Sequence, residues 1–552
     1  MTPTDDDAAK ASPTARPMQE PPAAPSPPLT GFDRFIDRLK NLGAWLERVA
    51  PGHRAREMGK QEAVVLELHH GKFDEIDNQE SSPPPDERVR LHCLWVIEFF
   101  PPSRRAALIE GLKDLGWDKP EDLSAVSPVA WVQDIRKHFG VRGWLGLGPI
   151  ARHGDPGYLM SIRRAPLPDG VSLAFGSIHH LLPSVTAVVM QFMVDEKDTT
   201  TYEDTLRRVY ATEVKRSQTG KSFQLLDPPH RKRHAIQATR HALRHRCGQW
   251  FRERLPGAFS IHASDEEFPT CEFLTTTEAE PFTASLESGF ESYARLLDII
   301  GTFDVWECDR YPALRLAWRT FEPGQVRHLL LTANETRLRE QEKDLHVKGS
   351  VGRSFIGRQL EVDTWLVRWA LVELVGLCAN QIVTLRDRAF EALSRKTTSR
   401  SLKQIQGELL RLRPDTLPII HDLETMDGYG GLARGSEYKF TPVDTKWGGT
   451  KELVAALSED LARQATTMRQ ALADVTENLT VGTDILSSRA NLKLQRWIVA
   501  MTVAILVLTG LLAYVALSPN RKRPMAPPAS EPVSPGIGWL MNTSAGGGRT
   551  SG

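Results

Sequence analysis

From Trp497 to Leu517 the chain carries no charged residue. At 1.5 Å of rise per residue, roughly 20 apolar residues cross the ~30 Å hydrocarbon layer of a bilayer. Lys493 and Arg496 precede this run, Arg521, Lys522 and Arg523 follow it, and Trp497 and Tyr514 stand near its ends. Basic and aromatic side chains favour the membrane interface. A single transmembrane helix over 497–517 is predicted. Upstream, Leu461, Ala465, Met468, Leu472, Val475 and Leu479 recur at alternating spacings of four and three. That is a heptad seam, and it predicts a stalk helix or coiled coil over 450–496. The seam suits self-association or packing against helices of the same chain. Gly482 weakens it near the membrane.

Further upstream the period changes. Phe32, Phe35, Ile36, Leu39, Leu42, Trp45, Leu46 and Val49 mark an amphipathic helix over 31–50, stopped by Pro51-Gly52. It suits the surface of a membrane or of its own domain. Over 62–345 strand and helix patterns mix. Ala63–Leu68, Leu91–Phe100, Tyr158–Arg163, Val171–Phe175, Val185–Val194, Phe273–Thr277, Leu314–Trp318 and His328–Thr332 read as strands. Val185–Val194 is apolar on both faces and reads as central. Arg104–Leu115, Ser127–Phe139, Thr201–Lys215 and Asp227–Leu255 read as helices. The two types do not alternate regularly, so the expected class is an α+β cytosolic domain followed by a long-helix stalk and one transmembrane helix. A helical region follows over 355–427, interrupted at Pro414 and Pro418, and then a Gly-rich loop over 428–449. Residues 1–30 and 518–552, rich in Pro, Ser and Gly, read as disordered.

Composition narrows the classes. Lys+Arg and Asp+Glu stand at 69 each, so the whole chain has no net field to attract nucleic acid. Cys93, Cys247, Cys271, Cys308 and Cys378 are scattered, with no CxxC pair, which fits a reducing compartment. The acidic, Pro-rich start is no signal peptide. Basic residues balance on the two sides of the apolar run, so they do not orient it. A large domain without a signal is expected to stay cytosolic, with the C-terminal tail outside.

Candidate chemistry centres on the helix opened by Asp227-Pro228-Pro229, a cap followed by prolines suited to a first turn. It carries Arg231, Lys232, Arg233, Arg240, Arg244, Arg246 and Arg252, with no acid from His230 to Arg252. His230, His234, His241 and His245 form one narrow stripe at ~100° per residue. Ile236, Leu243, Cys247 and Trp250 form another, expected to face the core and leave the His/Arg face in solvent. Three readings stand. His230, His234, Arg240, His241, Arg244, His245 and Arg246 could form an anion face for lipid headgroups, nucleic acid or an acidic partner. The i,i+4 histidines could hold a metal. Or the face is simply solvated, balanced by acids such as Asp265, Glu266 and Glu267. No cofactor is indicated.

Other motifs are weaker. Thr219-Gly220-Lys221-Ser222 is half a P-loop, but Lys215 stands where the first Gly belongs, so a turn between helices is expected. Gly143–Gly148 has its glycines in the wrong order for a dinucleotide fingerprint, and Gly352–Arg358 lacks the Lys and Ser/Thr of a P-loop. His69-His70 and His179-His180 read as polar pairs at strand ends. Asp195-Glu196 reads as a loop and Glu203-Asp204 as a helix start. No GxSxG signature or local triad occurs.

The stalk-to-membrane join, Ile485-Leu-Ser-Ser-Arg489-Ala-Asn491-Leu-Lys-Leu-Gln-Arg-Trp497, with its Arg-x-Asn before the apolar run, resembles that of CorA-type divalent-cation transporters. The resemblance covers the last quarter of the soluble part and the membrane run. It implies an oligomer with a stalk helix continuous into the membrane. The family's Gly-Met-Asn signature is replaced by Leu517-Ser-Pro-Asn520, and the second membrane helix is missing, so no selectivity residue carries over. The expected function is a single-pass membrane anchor with a cytosolic binding or signalling domain. Alternatives are a degenerate CorA-like channel subunit and a membrane-tethered enzyme. Expected partners are the membrane, a second copy through the stalk, and an anionic lipid or acidic protein.

Overall fold

A computed structural model describes residues 64, 66–67, 70, 73–120, 126–135, 143–154, 163–216, 223–262, 268–282, 292–299, 305–319, 328–342, 359–394, 399–425, 439–443 and 451–517. The amphipathic helix of 31–50, both disorder assignments, Gly352–Arg358, Gly428–Gly435, Asp265–Glu267 and His69 lie outside the described residues.

The chain order begins with α1 (Asp74–Glu80), β1 (Val89–Phe100), α2 (Arg105–Asp114), α3 (Pro128–Ile135), β2 (Gly143–Ala151), β3 (Arg163–Arg164), β4 (Val171–Leu182) and β5 (Val185–Val194). Then come α4 (Glu196–Arg207), β6 (Glu213–Arg216), β7 (Phe223–Leu226), α5 (Pro228–Arg254), α6 (Ala258–His262), β8 (Thr270–Thr276), α7 (Tyr293–Leu296), β9 (Val305–Cys308), β10 (Leu314–Arg319), β11 (His328–Asn334) and α8 (Glu335–Glu342). The last elements are α9 (Gln359–Ser394), α10 (Ser399–Thr425), β12 (Phe440–Pro442) and α11 (Leu453–Leu517).

Ten strands form one sheet in the order β12-β9-β10-β11-β8-β1-β5-β4-β2-β3, and β6 and β7 form a separate hairpin. Neighbours in the large sheet run antiparallel except β11–β8 and β2–β3. The sheet is thus mixed and carries helices, in keeping with an α+β domain followed by long C-terminal helices. β1 and β5 sit at its middle, paired from Cys93↔Met193 to Phe100↔Thr186. Both are apolar on both faces because both faces are covered. On one face Phe192 meets Trp250 of α5 at 5.8 Å, edge to face. α9 packs on β1, β4 and β5, and Trp95 and Ile97 of β1 are fully buried.

Several expectations change. Where a strand is expected over Ala63–Leu68, the described residues Val64, Leu66 and Glu67 are helical, as is His70. The helix expected over Thr201–Lys215 begins at Glu196 and ends at Arg207, and its last residues instead join β6. Only Arg163 of the expected Tyr158–Arg163 strand is described, in β3. Gly143–Gly148, weighed as a phosphate loop, is strand β2. Pro414 and Pro418 do not interrupt α10, which runs through both. Prolines cost a helix two backbone bonds, but α10 is anchored from outside. Asp415 accepts from the Ser103 backbone N–H at 2.9 Å, and Asp422 accepts from the Ser184 N–H at 2.7 Å. The loop over 428–449 contributes a sheet edge, with Phe440 paired to Cys308 and its ring 5.2 Å from Trp365.

Two compact units divide at Leu479/Thr480. The first includes α9, α10 and the start of α11, so the helical region is not separate from the sheet domain. In it the heptad seam is covered by the same chain. Leu461, Ala465, Met468, Leu472, Val475 and Leu479 are all buried. Arg469 of α11 pairs with Glu424 of α10, and Gln464 lies against Gly376 of α9. In the second unit the helix continues to Leu517 with its side chains exposed.

Candidate functional site

α5 forms as the sequence predicts. The Asp227 side chain accepts from the His230 backbone N–H at 2.9 Å and caps it. Ile236, Leu243, Cys247 and Trp250 are buried. The expectation that Arg240 and Arg244 face solvent is corrected: they are 1% and 8% exposed. Arg240 Nε donates to Glu272 Oε2 at 2.6 Å, and Arg244 Nη1 donates to Glu272 Oε1 at 2.8 Å. Glu272 is on β8, opposite Leu94 of β1. Asp298 joins the group 3.7 Å from Arg240. Burial pulls the Arg240 guanidinium down, but the Glu272 carboxylate beside it more than offsets this and raises it. The pair ties α5 to the centre of the sheet.

Lys232 is also buried, donating to Ser82 Oγ at 2.5 Å, Ser81 Oγ at 3.1 Å and the Asn78 carbonyl at 3.2 Å. Burial lowers its pKa to about 8. It closes the C-terminal end of α1, where carbonyls and the helix dipole favour a cation.

The remaining face is thinner than the sequence suggested. His230, His234 and His245 are exposed and His241 is half-buried, its ring stacked on His245 at 6.3 Å. His230 bonds Asp227 at 2.9 Å, and Arg246 pairs with Asp198. Arg231 lies 3.4 Å from Glu213, and Arg233 3.4 Å from Asp298. Among the described residues the balancing acids include Asp227, the cap of α5 itself, and Glu213, Asp198, Glu272 and Asp298 from elsewhere in the chain. Among the described residues, no group of three His, Cys, Asp or Glu side chains is placed to hold a metal ion.

The half P-loop at Thr219–Ser222 lies outside the described residues, but the elements beside it are described. They are two antiparallel strands, with Arg216 opposite Phe223, rather than the helices expected. A phosphate loop leads from a strand into a helix. His179 and His180 lie near the end of β4, as expected, but they are buried, with His179 Nε2 2.9 Å from Ser177 Oγ. Asp195 caps α4, accepting from the Asp198 backbone N–H at 2.7 Å.

Sequence reasoning missed Glu98, a fully buried carboxyl on β1. It accepts backbone N–H groups of Phe99 at 2.8 Å, Phe259 at 2.9 Å and Ser260 at 2.9 Å, and the Ser260 hydroxyl at 2.7 Å. Burial pushes it up to about 7, opposed by those donors. Gly257 permits the approach: a Cβ there would run into the Phe99 carbonyl oxygen and lie 2.6 Å from the Glu98 carboxyl carbon. The signal in the sequence was a lone acid in an otherwise apolar strand run. Its bonds to Phe259 and Ser260 fasten α6 to the sheet.

Among the described residues, two helices are long and apolar enough to cross a membrane, Trp365–Leu393 and the end of α11. No family model matches the chain, and no curated protein or solved structure matches it.

Proposed function

We propose that this is a single-pass membrane protein whose sheet domain binds a partner or signals at the cytoplasmic membrane surface. The observation that carries the reading is the bareness of the last part of α11. Ile498, Val503, Leu508, Leu512 and Val515 are each more than half exposed, and apolar area in water costs about 25 cal/mol per Å². A bilayer removes that cost, and the backbone is satisfied within the helix.

The test is fractionation of the full chain against a chain ending at Gln495. The full chain is expected to stay with membranes through alkaline carbonate and to leave only in detergent. The shortened chain is expected in the supernatant. Release of the full chain by carbonate would overturn the reading.

A CorA-like channel subunit is the second reading. The unbroken run of α11 from Leu453 to Leu517 favours it. The anchor is preferred because the seam that would join copies is covered within one chain, and because the other apolar helix is packed on the sheet. A ring-sized oligomer in detergent with cation flux in vesicles would reverse the preference.

A further inference from the structure

Three cations stand on α11 just before its apolar run. Arg489, Lys493 and Arg496 are exposed on α11. At ~100° per residue they fall within about 60° of one another, a single stripe. They continue the four-three spacing of the seam, so the stripe that is apolar up to Leu479 turns basic before the bilayer. Among the described residues none of the three has a carboxylate partner, and the sequence has no acid between Asp484 and Glu531. The stripe rises about 10 Å along the helix, and the headgroup layer is about 5–8 Å deep. Trp497, 70% exposed, stands at its upper end.

We propose that Arg489, Lys493 and Arg496 bind the phosphate groups of anionic phospholipids in the leaflet next to the sheet domain. The inference rests on the membrane reading. A stripe suits this ligand because phosphates lie in one plane around the helix, and long basic side chains reach them while their stems stay on apolar surface. An acidic protein would need no such match to the depth of the headgroups. Basic side chains beside an anionic leaflet each favour it about fivefold, and salt screens the effect.

The experiment uses the full chain with Trp539→Phe, reconstituted in phosphatidylcholine vesicles. One sample contains one fifth brominated phosphatidylglycerol, the other one fifth brominated phosphatidylcholine. Bromine quenches only tryptophans in contact with lipid, and further replacement of Trp497 by Phe gives the background to subtract. Quenching of Trp497 is expected to report at least fivefold enrichment of the brominated anionic lipid, lost in 0.5 M salt. The Arg489→Gln, Lys493→Gln, Arg496→Gln variant is expected to bring the ratio to about one while quenching persists. Equal quenching by both lipids in the unmodified stripe, or a preference that survives the triple variant, overturns the lipid site and leaves the anchor standing. No quenching by either lipid overturns the anchor and the lipid site together.

Discussion

Trp365–Val375 of α9, interrupted only by Arg368 and Glu373, and Ile498–Leu517 of α11 are both strongly apolar, and they end in opposite surroundings. In α9, 72% of the most apolar stretch is buried, against 0% in α11. A helix apolar all round belongs either in a protein core or in a membrane. α9 takes the first course because the middle of the sheet presents an apolar face that needs covering. It even keeps Arg368 and Glu373 buried. The end of α11 is exposed and carries no charge. Apolar length alone therefore does not separate core from anchor. What separates them is whether the rest of the chain offers a complementary surface.

The largest effect expected on this comparison comes from placing one acid in each helix. Val375→Asp puts a carboxylate where the side chain is fully buried among apolar neighbours, and should cost about 4 kcal/mol or more, enough to unfold the domain. Val507→Asp should leave urea unfolding of the domain unchanged and weaken membrane insertion by about 3 kcal/mol. Equal loss of domain stability in both would erase the distinction. Truncation is milder. Trp369→Ala, at 1% exposure, should lower stability by about 3–5 kcal/mol through the cavity it leaves. Leu511→Ala should change it by about 0.5 kcal/mol or less. Matched unfolding curves in detergent measure both.

The last effect concerns a titratable group on the buried side. The folded-state pKa of Glu98, about 7, lies above the ordinary 4.5. Its contribution to stability is then full below about pH 4.5 and is lost as pH rises through 7. The unfolding temperature of the native chain should fall between pH 5 and pH 8 by more than that of Glu98→Gln. Parallel pH profiles for the two would show that Glu98 stays ionised throughout.

Much of the fold was legible in local pattern. Val185–Val194 matches β5 at both ends, and α5 starts at its predicted Asp227 cap. Pattern failed where partners decide. Pro414 and Pro418 read as breaks because the anchors at Ser103 and Ser184 lie hundreds of residues away. For the candidate site, part of the error was avoidable. Arg240 falls about 40° from Ile236 and about 20° from Cys247 on the helix, inside the apolar stripe. Its type argued for solvent while its position argued for the core, and position prevailed because Glu272 waits on β8 to pair with it. Nothing near Glu272 in sequence marks it as that partner.

By itself the sequence determined the local elements and the apolar run at Trp497–Leu517, because capping, periodicity and unbroken hydrophobicity act between near neighbours. Only the tertiary structure decided which charges of α5 remain on its surface, which apolar helix is core, and that the heptad seam is closed within the chain. Those outcomes depend on surfaces brought together from distant parts of the chain, where a buried charge is tolerated only if its partner is built beside it.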